Sequence, residues 1–218
     1  MSIYGCYTTI LSRENYSSAI YSFLRQSMPI EQVILSLPLH TNYNSRHIKD
    51  KRVNVVRPAH DYGPGTKLLG CYKYVPEDSY IFIIDDDIEY LPDLLKTLYS
   101  YNKSVVSFDT CSAASLGGVC GFEGYLVKKN TLSNIETFYN SLPKECIYVD
   151  DMWIGLYFAY MNVSVRYIKS IKHSFFTRIQ SWRSTLFDCK SLSHKTLSHK
   201  LKNKECFDIF TNKHINLI

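Results

Sequence analysis

Residues 80–90 read Tyr-Ile-Phe-Ile-Ile-Asp-Asp-Asp-Ile-Glu-Tyr, and the fold class turns on how this stretch is taken. Four apolar residues, Ile81 to Ile84, run directly into Asp85, Asp86 and Asp87. A short run rich in β-branched and aromatic side chains suits a central strand of a parallel sheet covered on both faces. In open α/β sheets, ligands collect at the carboxyl ends of such strands, which is where these acids lie. If the backbone stays extended, Asp85 and Asp87 point one way and Asp86 the other. Adjacent carboxylates at the edge of an apolar layer repel one another unless a cation or hydrogen-bond donors compensate. A hard divalent ion that prefers oxygen ligands, Mg²⁺ or Mn²⁺, would do so. The alternative is a solvated acidic turn capping a helix that begins near Pro92.

The segments on either side of this run alternate between strand and helix patterns. Ile3–Ile10 reads as a strand, Asn15–Gln26 as a helix with apolar residues at Ala19, Ile20, Phe23 and Leu24, and Gln32–Leu37 and Val53–Val56 as two further strands. Helices are expected over Thr66–Tyr74, Pro92–Tyr101, Thr131–Leu142 and Asp150–Met161, and strands over Val105–Phe108 and Val165–Ile168. Such alternation implies an α/β fold with a mostly parallel central sheet flanked by helices.

Several short motifs sit at the expected loop ends. Thr8, Thr9 and Arg13 follow the first strand, where hydroxyls and a guanidinium could hold a base or diphosphate; an ordinary helix cap reads equally well. Asp61-Tyr62-Gly63-Pro64-Gly65-Thr66-Lys67 opens a helix. It lacks the Walker A spacing, yet a helix start after glycines favours an anion, and Asp61 or Tyr62 could meet a ribose or base. Ser112–Gly118 is small and polar and is expected to be a mobile loop. Gly121 and Gly124 bracket Glu123, which suits backbone approaching a ligand or a tight turn into a strand. Asp150 and Asp151 open a helix, with Asp150 a candidate N-cap and Asp151 set beside Trp153. His173 stands alone near a strand end.

Composition narrows the class further. The chain has 218 residues, ordinary globular composition and 18 tyrosines, enough for one sizeable core. Seven cysteines, an odd number with no C-x-x-C pair, indicate neither a disulfide framework nor a zinc site; reduced thiols are expected. No run approaches membrane-spanning length and the first residues lack a basic leader region, so a cytoplasmic protein without a membrane span is expected. From Arg166 onward eleven Lys and Arg face three Asp and Glu, a basic tail read as a surface helix or lid.

Taken together, these motifs resemble the GT-A type glycosyltransferases over roughly Ile3–Phe176. The carriers are Thr-Thr-x-x-x-Arg, the Asp-Tyr-Gly-Pro-Gly-Thr-Lys turn, the strand into Asp-Asp-Asp, the glycine-flanked segment, the acidic pair opening a helix and the later histidine. The chain is especially similar to compact glycosyltransferase domains encoded by large DNA viruses of algae and amoebae. The resemblance implies one domain, with a nucleotide-binding half at about 1–110, an acceptor half at about 111–183 and the basic tail at 184–218. It also implies a nucleotide-sugar donor, with a leaning to UDP, bound by Thr8, Thr9, Arg13, Asp61, Tyr62, Lys67, Asp85, Asp86, Gly121, Glu123, Gly124 and Asp150. Mn²⁺ or Mg²⁺ would be held by Asp87, Asp85 and His173, and Asp151 would be the general base of an inverting transfer to a glycan or glycoprotein hydroxyl. Asp150-Asp151-Met152-Trp153-Ile154-Gly155 resembles the Glu-Asp-x-x-x-Gly segment of inverting members, with Asp in place of the usual Glu at 150. Two other classes fit the same residues: a nucleotidyl or phosphoryl transferase using metal-bound carboxylates, and a nucleic-acid-binding protein using the basic tail. No stable nucleic-acid partner is expected on the glycosyltransferase reading.

Overall fold

Strand β4, Tyr80–Ile83, lies at the middle of a seven-stranded sheet and is buried along its whole length. The computed structural model describes residues 1–9, 17–39, 48–86, 88–109, 111–169, 176–178 and 199–213. Along β4 the side chains alternate between two cores. Ile81 and Ile83 pack into one apolar cluster and Tyr80, Phe82 and Ile84 into the other, which is the pattern of a strand covered on both faces. The carboxylates that follow therefore enter from a rigid, dry platform.

The strands are β1 (Ile3–Thr8), β2 (Gln32–Ser36), β3 (Val53–Val56), β4, β5 (Ile88–Tyr90), β6 (Val105–Phe108), β7 (Tyr125–Lys128), β8 (Val165–Ile168) and β9 (Phe176–Arg178). The main sheet has the order β3-β2-β1-β4-β7-β6-β8. Its pairings are parallel except that β7 runs antiparallel to both β4 and β6. β5 and β9 form a separate antiparallel pair, which the sequence patterns do not reveal.

The helices are α1 (Ser17–Leu24), α2 (Thr66–Leu69), α3 (Leu94–Ser100), α4 (Ile135–Asn140), α5 (Asp150–Tyr160) and α6 (His199–Lys213). Residues of α1 and α3 line one core, and residues of α2, α4, α5 and α6 the other. Gly5 lets the Phe23 ring of α1 rest directly on β1, since a Cβ there would lie 2.7 Å from the ring.

Several expected elements are shorter than their sequence patterns. The helix expected over Thr66–Tyr74 breaks after Leu69 and resumes as a 3-10 turn at Tyr72–Tyr74. Gly70 sits at the break, where a Cβ would collide with Ser36 Oγ. Thr131–Leu142 divides into a 3-10 turn at Lys129–Leu132 and the short α4. The segment expected to be a mobile loop, Ser112–Gly118, contains a 3-10 turn at Ala114–Leu116 closed by Gly117 at φ +89°. Gly118 and α5 approach so closely that a Cβ on Gly155 would overlap Gly117 O and Gly118 Cα.

Two expectations about the chain's last third are overturned. The tail helix α6 is not merely a basic surface element: Cys206 and Phe210 are buried in the same core as α4 and α5, and Asn203 is buried while donating to Ser112 Oγ at 2.9 Å. Cys206 is moreover joined to Cys146 by a disulfide, so these two thiols are not reduced. The pattern hid this because neither cysteine has a partner nearby in sequence. The sequence Leu-Ser-His-Lys occurs at 192–195 and again at 197–200, and of these residues His199 and Lys200 alone are among the described ones. No helix among the described residues is long and apolar enough to cross a membrane.

Docking of α6 should be measurable. Phe210→Ala removes a buried ring and is expected to cost about 3–5 kcal/mol of unfolding free energy, whereas Leu201→Ala, at a site 54 % exposed, should change it by no more than about 0.5 kcal/mol. Urea denaturation of both variants reads this out, and equal midpoints would mean that α6 does not hold this position in solution.

Candidate active site

The site begins where β4 ends. Asp85 follows Ile84 and turns toward the α5 side, while Asp86 is buried, in keeping with the alternation expected of an extended backbone. The Asp85 backbone N–H donates to the Tyr90 hydroxyl at 3.1 Å, and that hydroxyl donates to Phe122 O at 3.0 Å. One tyrosine thereby ties the strand end to the Gly121–Glu123 turn.

Lys67, from α2, is 5 % exposed and reaches the centre of the cleft. Its Nζ lies 2.7 Å from Asp85 Oδ1, 2.8 Å from Asp150 Oδ2 and 4.0 Å from Asp151 Oδ1. The contact with Asp85 is a hydrogen bond. That with Asp150 has ion-pair distance but lies off hydrogen-bond alignment. Asp150 and Asp151 both occupy the first turn of α5, where the helix dipole favours negative charge. Asp150 is not the N-cap: Val149 takes that position and Asp150 is the first helical residue, so its carboxylate is free to face Lys67.

Asp151 is held on both sides of its own backbone. Gly121 N donates to Asp151 Oδ1 at 3.0 Å, and Val119 N donates to the Asp151 carbonyl at 2.8 Å. A Cβ at Gly121 would lie 2.6 Å from Asp151 Oδ1 and 2.7 Å from Lys67 Nζ, so this glycine is required by close approach to the charged cluster. From below, Tyr125 of β7 pairs in register with Ile83 and is fully buried. Its hydroxyl has no hydrogen-bond partner among the described residues and feels Lys67, Asp150, Asp151 and Asp85. Sequence reasoning missed Tyr125, because only the pairing of β7 with β4 brings it under the acids.

Burial, and then the neighbouring Asp150 charge, push the Asp151 carboxyl well above the usual carboxylate range, with Lys67 acting in the opposite sense. For Lys67, burial alone would lower the ammonium, but Asp150, Asp85 and Asp151 outweigh it and hold the group well above its ordinary value. The cluster thus pairs a firmly charged lysine with a carboxyl that takes up a proton readily.

The other expected site residues are distributed as follows. Thr8 and Thr9 stand at the carboxyl end of β1, beside β4, and Thr8 Oγ1 donates to Ser36 O at 2.7 Å. Asp61 closes the turn ahead of α2, accepting from Gly63 N at 2.9 Å and from Thr66 Oγ1 at 3.2 Å. Tyr62 packs its ring against His60 and Tyr139 and reaches Glu136, so it is turned toward α4. Glu123 is buried with the Cys120 thiol 3.7 Å away. Gly124, at φ +85°, faces Phe82, Ile84 and Leu94 in the core. Arg13, Asp87 and His173 lie outside the described residues. The structure therefore brings together Lys67, Asp85, Gly121, Asp150 and Asp151, and sets Tyr62 beside His60 and Tyr139 and Gly124 against Phe82, Ile84 and Leu94.

Comparison with solved structures adds the fold's identity. A mannosyltransferase, PcManGT from Pyrobaculum calidifontis, solved with GDP-Man and Mn²⁺, superposes with a TM-score of 0.58 at 14 % identity over 78 % of this chain and 55 % of its own. TarS of S. aureus with UDP-GlcNAc gives 0.60 at 14 % identity over 99 % of this chain and 73 % of that one. The glucosyl-3-phosphoglycerate synthase of Mycobacterium tuberculosis, with Mn²⁺, UDP-Glc and phosphoglyceric acid, gives 0.52 at 14 % identity over 77 % and 69 %. The fold is of the GT-A type. This chain spans little more than half the length of the mannosyltransferase. No family model and no curated protein matches the sequence.

The residues present suit a hard cation in kind. Asp85 and Asp86 supply oxygen donors at a strand end, although among the described residues no three acidic, histidine or cysteine side chains are grouped to hold a metal. The Lys67 ammonium lies against Asp85, so any ion there would share this carboxylate with it.

The raised Asp151 carboxyl has a consequence for stability. Its folded value lies above its unfolded one, so its contribution is fully present below the ordinary carboxylate range, about pH 4, and is lost as pH rises through the folded value. Asp151→Asn, whose amide oxygen can still accept from Gly121, is expected to be more stable than the wild type at pH 8. That advantage should vanish below about pH 4, as followed by thermal unfolding across the range.

Proposed function

We propose that this protein is a metal-dependent glycosyltransferase that moves a sugar from a nucleotide sugar, a UDP-sugar in our reading, to a hydroxyl of a glycan acceptor, inverting the anomeric centre. The observation that carries the proposal is the meeting at Lys67 of an acid from the end of β4 with an acid pair from the start of α5. Two carboxylate sources on one cleft supply two separable jobs, donor binding and proton removal. The fold supports the same reading, since neighbours of like architecture were solved with GDP-Man, UDP-GlcNAc or UDP-Glc, two of them with Mn²⁺.

In this scheme Asp85 faces the donor, with Asp86 beside it in the chain and buried. Asp87 and His173, which lie outside the described residues, complete the oxygen and nitrogen set by family resemblance. A divalent ion bound there would offset the charge of the departing diphosphate. Thr8 and Thr9, at the end of the neighbouring strand, line the nucleotide side. Lys67 stays charged and keeps Asp85 and Asp150 paired. Asp151, oriented by Gly121 N, accepts the proton of the acceptor hydroxyl as its oxygen attacks the anomeric carbon, and the bond from that carbon to the diphosphate breaks. Attack from the side opposite the leaving group inverts the configuration. The raised Asp151 carboxyl suits a general base, and turnover should rise with pH as this group loses its proton. The similarity to viral glycosyltransferase domains rests on the sequence motifs alone.

A panel of nucleotide sugars with Mn²⁺, read by released nucleoside diphosphate, tests the activity. Asp151→Asn should lower turnover by about 10²–10⁴ while donor affinity barely moves, and the product should have the configuration opposite to the donor's. Asp87→Ala should abolish Mn²⁺-dependent binding of a UDP-sugar in calorimetry with the fold intact. Near-normal turnover of Asp151→Asn, or a retained configuration, would remove the base assignment and the inverting mechanism together.

A further inference from the structure

Four cysteines among the described residues take no part in a disulfide, and they fall into two unlike pairs. Cys6 and Cys71 touch each other inside the sheet and are both fully buried; burial first, then Cys71, pushes the Cys6 thiol well up, which makes this pair chemically inert. Cys111 and Cys120 bound the turn that packs on α5; Cys111 is only partly buried, whereas Cys120 is fully so.

The turn folds back on itself. Ala113 O accepts from Leu116 N at 2.9 Å and from Gly118 N at 2.8 Å, and Gly117 takes the left-handed conformation. This returns the chain to its start: the Cys111 thiol donates to Val119 O at 3.2 Å, one residue before Cys120, and the Cys120 thiol is its hydrogen-bonding neighbour. The Cys111 sulfur also accepts from Ala114 N at 3.4 Å. The Cys120 hydrogen bond first, and then the Ala114 and Ala113 amides, lower the Cys111 thiol against the effect of burial. Cys120 behaves oppositely: it is fully buried, burial drives its thiol far up, and its sulfur lies 3.7 Å from the Glu123 carboxylate. A partly buried thiol favoured as thiolate beside a fully buried protonated one is the arrangement of an attacking and a resolving cysteine.

We propose that Cys111 is a site of oxidation by hydroperoxides and that Cys120 resolves it into a disulfide across the 111–120 turn. The Cys111 thiolate attacks one peroxide oxygen, the O–O bond breaks, and the departing hydroxide takes a proton and leaves as water. Cys111 is then a sulfenic acid. The Cys120 thiol gives its proton to Glu123 and attacks the Cys111 sulfur. The S–O bond breaks, and the hydroxide released takes the proton from Glu123 as the second water. The two thiols supply the two electrons that reduce the peroxide. The bond formed would fix the turn that contains Val119 and leads into Gly121, the two residues whose N–H groups hold Asp151.

The test does not depend on the activity proposed above. The full chain is treated with hydrogen peroxide, its remaining thiols are alkylated, and it is digested with trypsin. Lys103 and Lys128 bracket both cysteines with no Lys or Arg between, so one peptide reports the pair. It should appear unalkylated and lighter by two hydrogens before Cys6 or Cys71 is modified, and return to two alkylatable thiols after reduction. Cys120→Ser should stop at a sulfenic acid on Cys111, trapped by dimedone. Cys111→Ser should slow oxidation of Cys120 by at least about tenfold, with circular dichroism checking that each variant folds. A peptide that keeps two alkylatable thiols while Cys6 or Cys71 reacts, or equal oxidation of Cys120 in Cys111→Ser, would overturn the proposal.

Discussion

A single buried ammonium organises this cleft. Lys67 is nearly sealed from solvent, yet remains charged because three carboxylates surround it. An isolated ammonium would not survive at such a site, since desolvation would drive off its proton. Asp85 and Asp150 lie closest to the lysine, and Asp151, at 4.0 Å, is held mainly by Gly121 N. The three acids come from two places, the end of β4 and the start of α5, and without a cation their mutual repulsion would push these elements apart. The ion pairs therefore do more than hold side chains: they set the distance between the sheet and the helix that carries Asp151. Charge complementarity at Lys67 and the apolar packing of Met152, Trp153 and Ile154 together close this end of the molecule.

That arrangement is stiff because the apolar structure behind it is stiff. β4 is packed on both faces, Tyr90 ties its end to the Gly121 turn, and Gly155 brings α5 against the Gly117–Gly118 backbone with no side chain between. Asp151 cannot drift from Gly121 without disturbing one of these contacts. Pre-organised groups of this kind are what a chemical step requires, because the geometry is met before the substrate arrives.

Much of the fold was legible in the sequence. Val53–Val56, Val105–Phe108 and Val165–Ile168 are strands with the ends their patterns suggest, because β-branched runs bounded by polar residues carry their own signal. What escaped was set by partners distant in sequence. β5 and β9 are three residues each and pair across 85 positions of chain or more. Helices 66–74 and 131–142 read longer than they are because periodicity persists across Gly70 and Asn134, where the chain in fact bends. In the site, Lys67, Asp85 and Asp151 were each recognisable as chemistry-bearing residues, but that one lysine joins both acidic motifs is a fact of tertiary structure. That Tyr62 sets its ring against His60 and Tyr139 is likewise a fact its sequence neighbours do not carry.

The disulfide between Cys146 and Cys206 carries a topological consequence. The two cysteines are 60 positions apart, and everything from α5 through β9 to the start of α6 lies within the covalent ring they close. A single peptide-bond break anywhere inside that ring opens the loop without dividing the molecule, so α6 would stay tethered beside the segment that leads into Asp150. The acidic end of α5 would then keep its terminal helix as a neighbour even in a nicked chain, and two fragments would part only when the bridge itself was reduced.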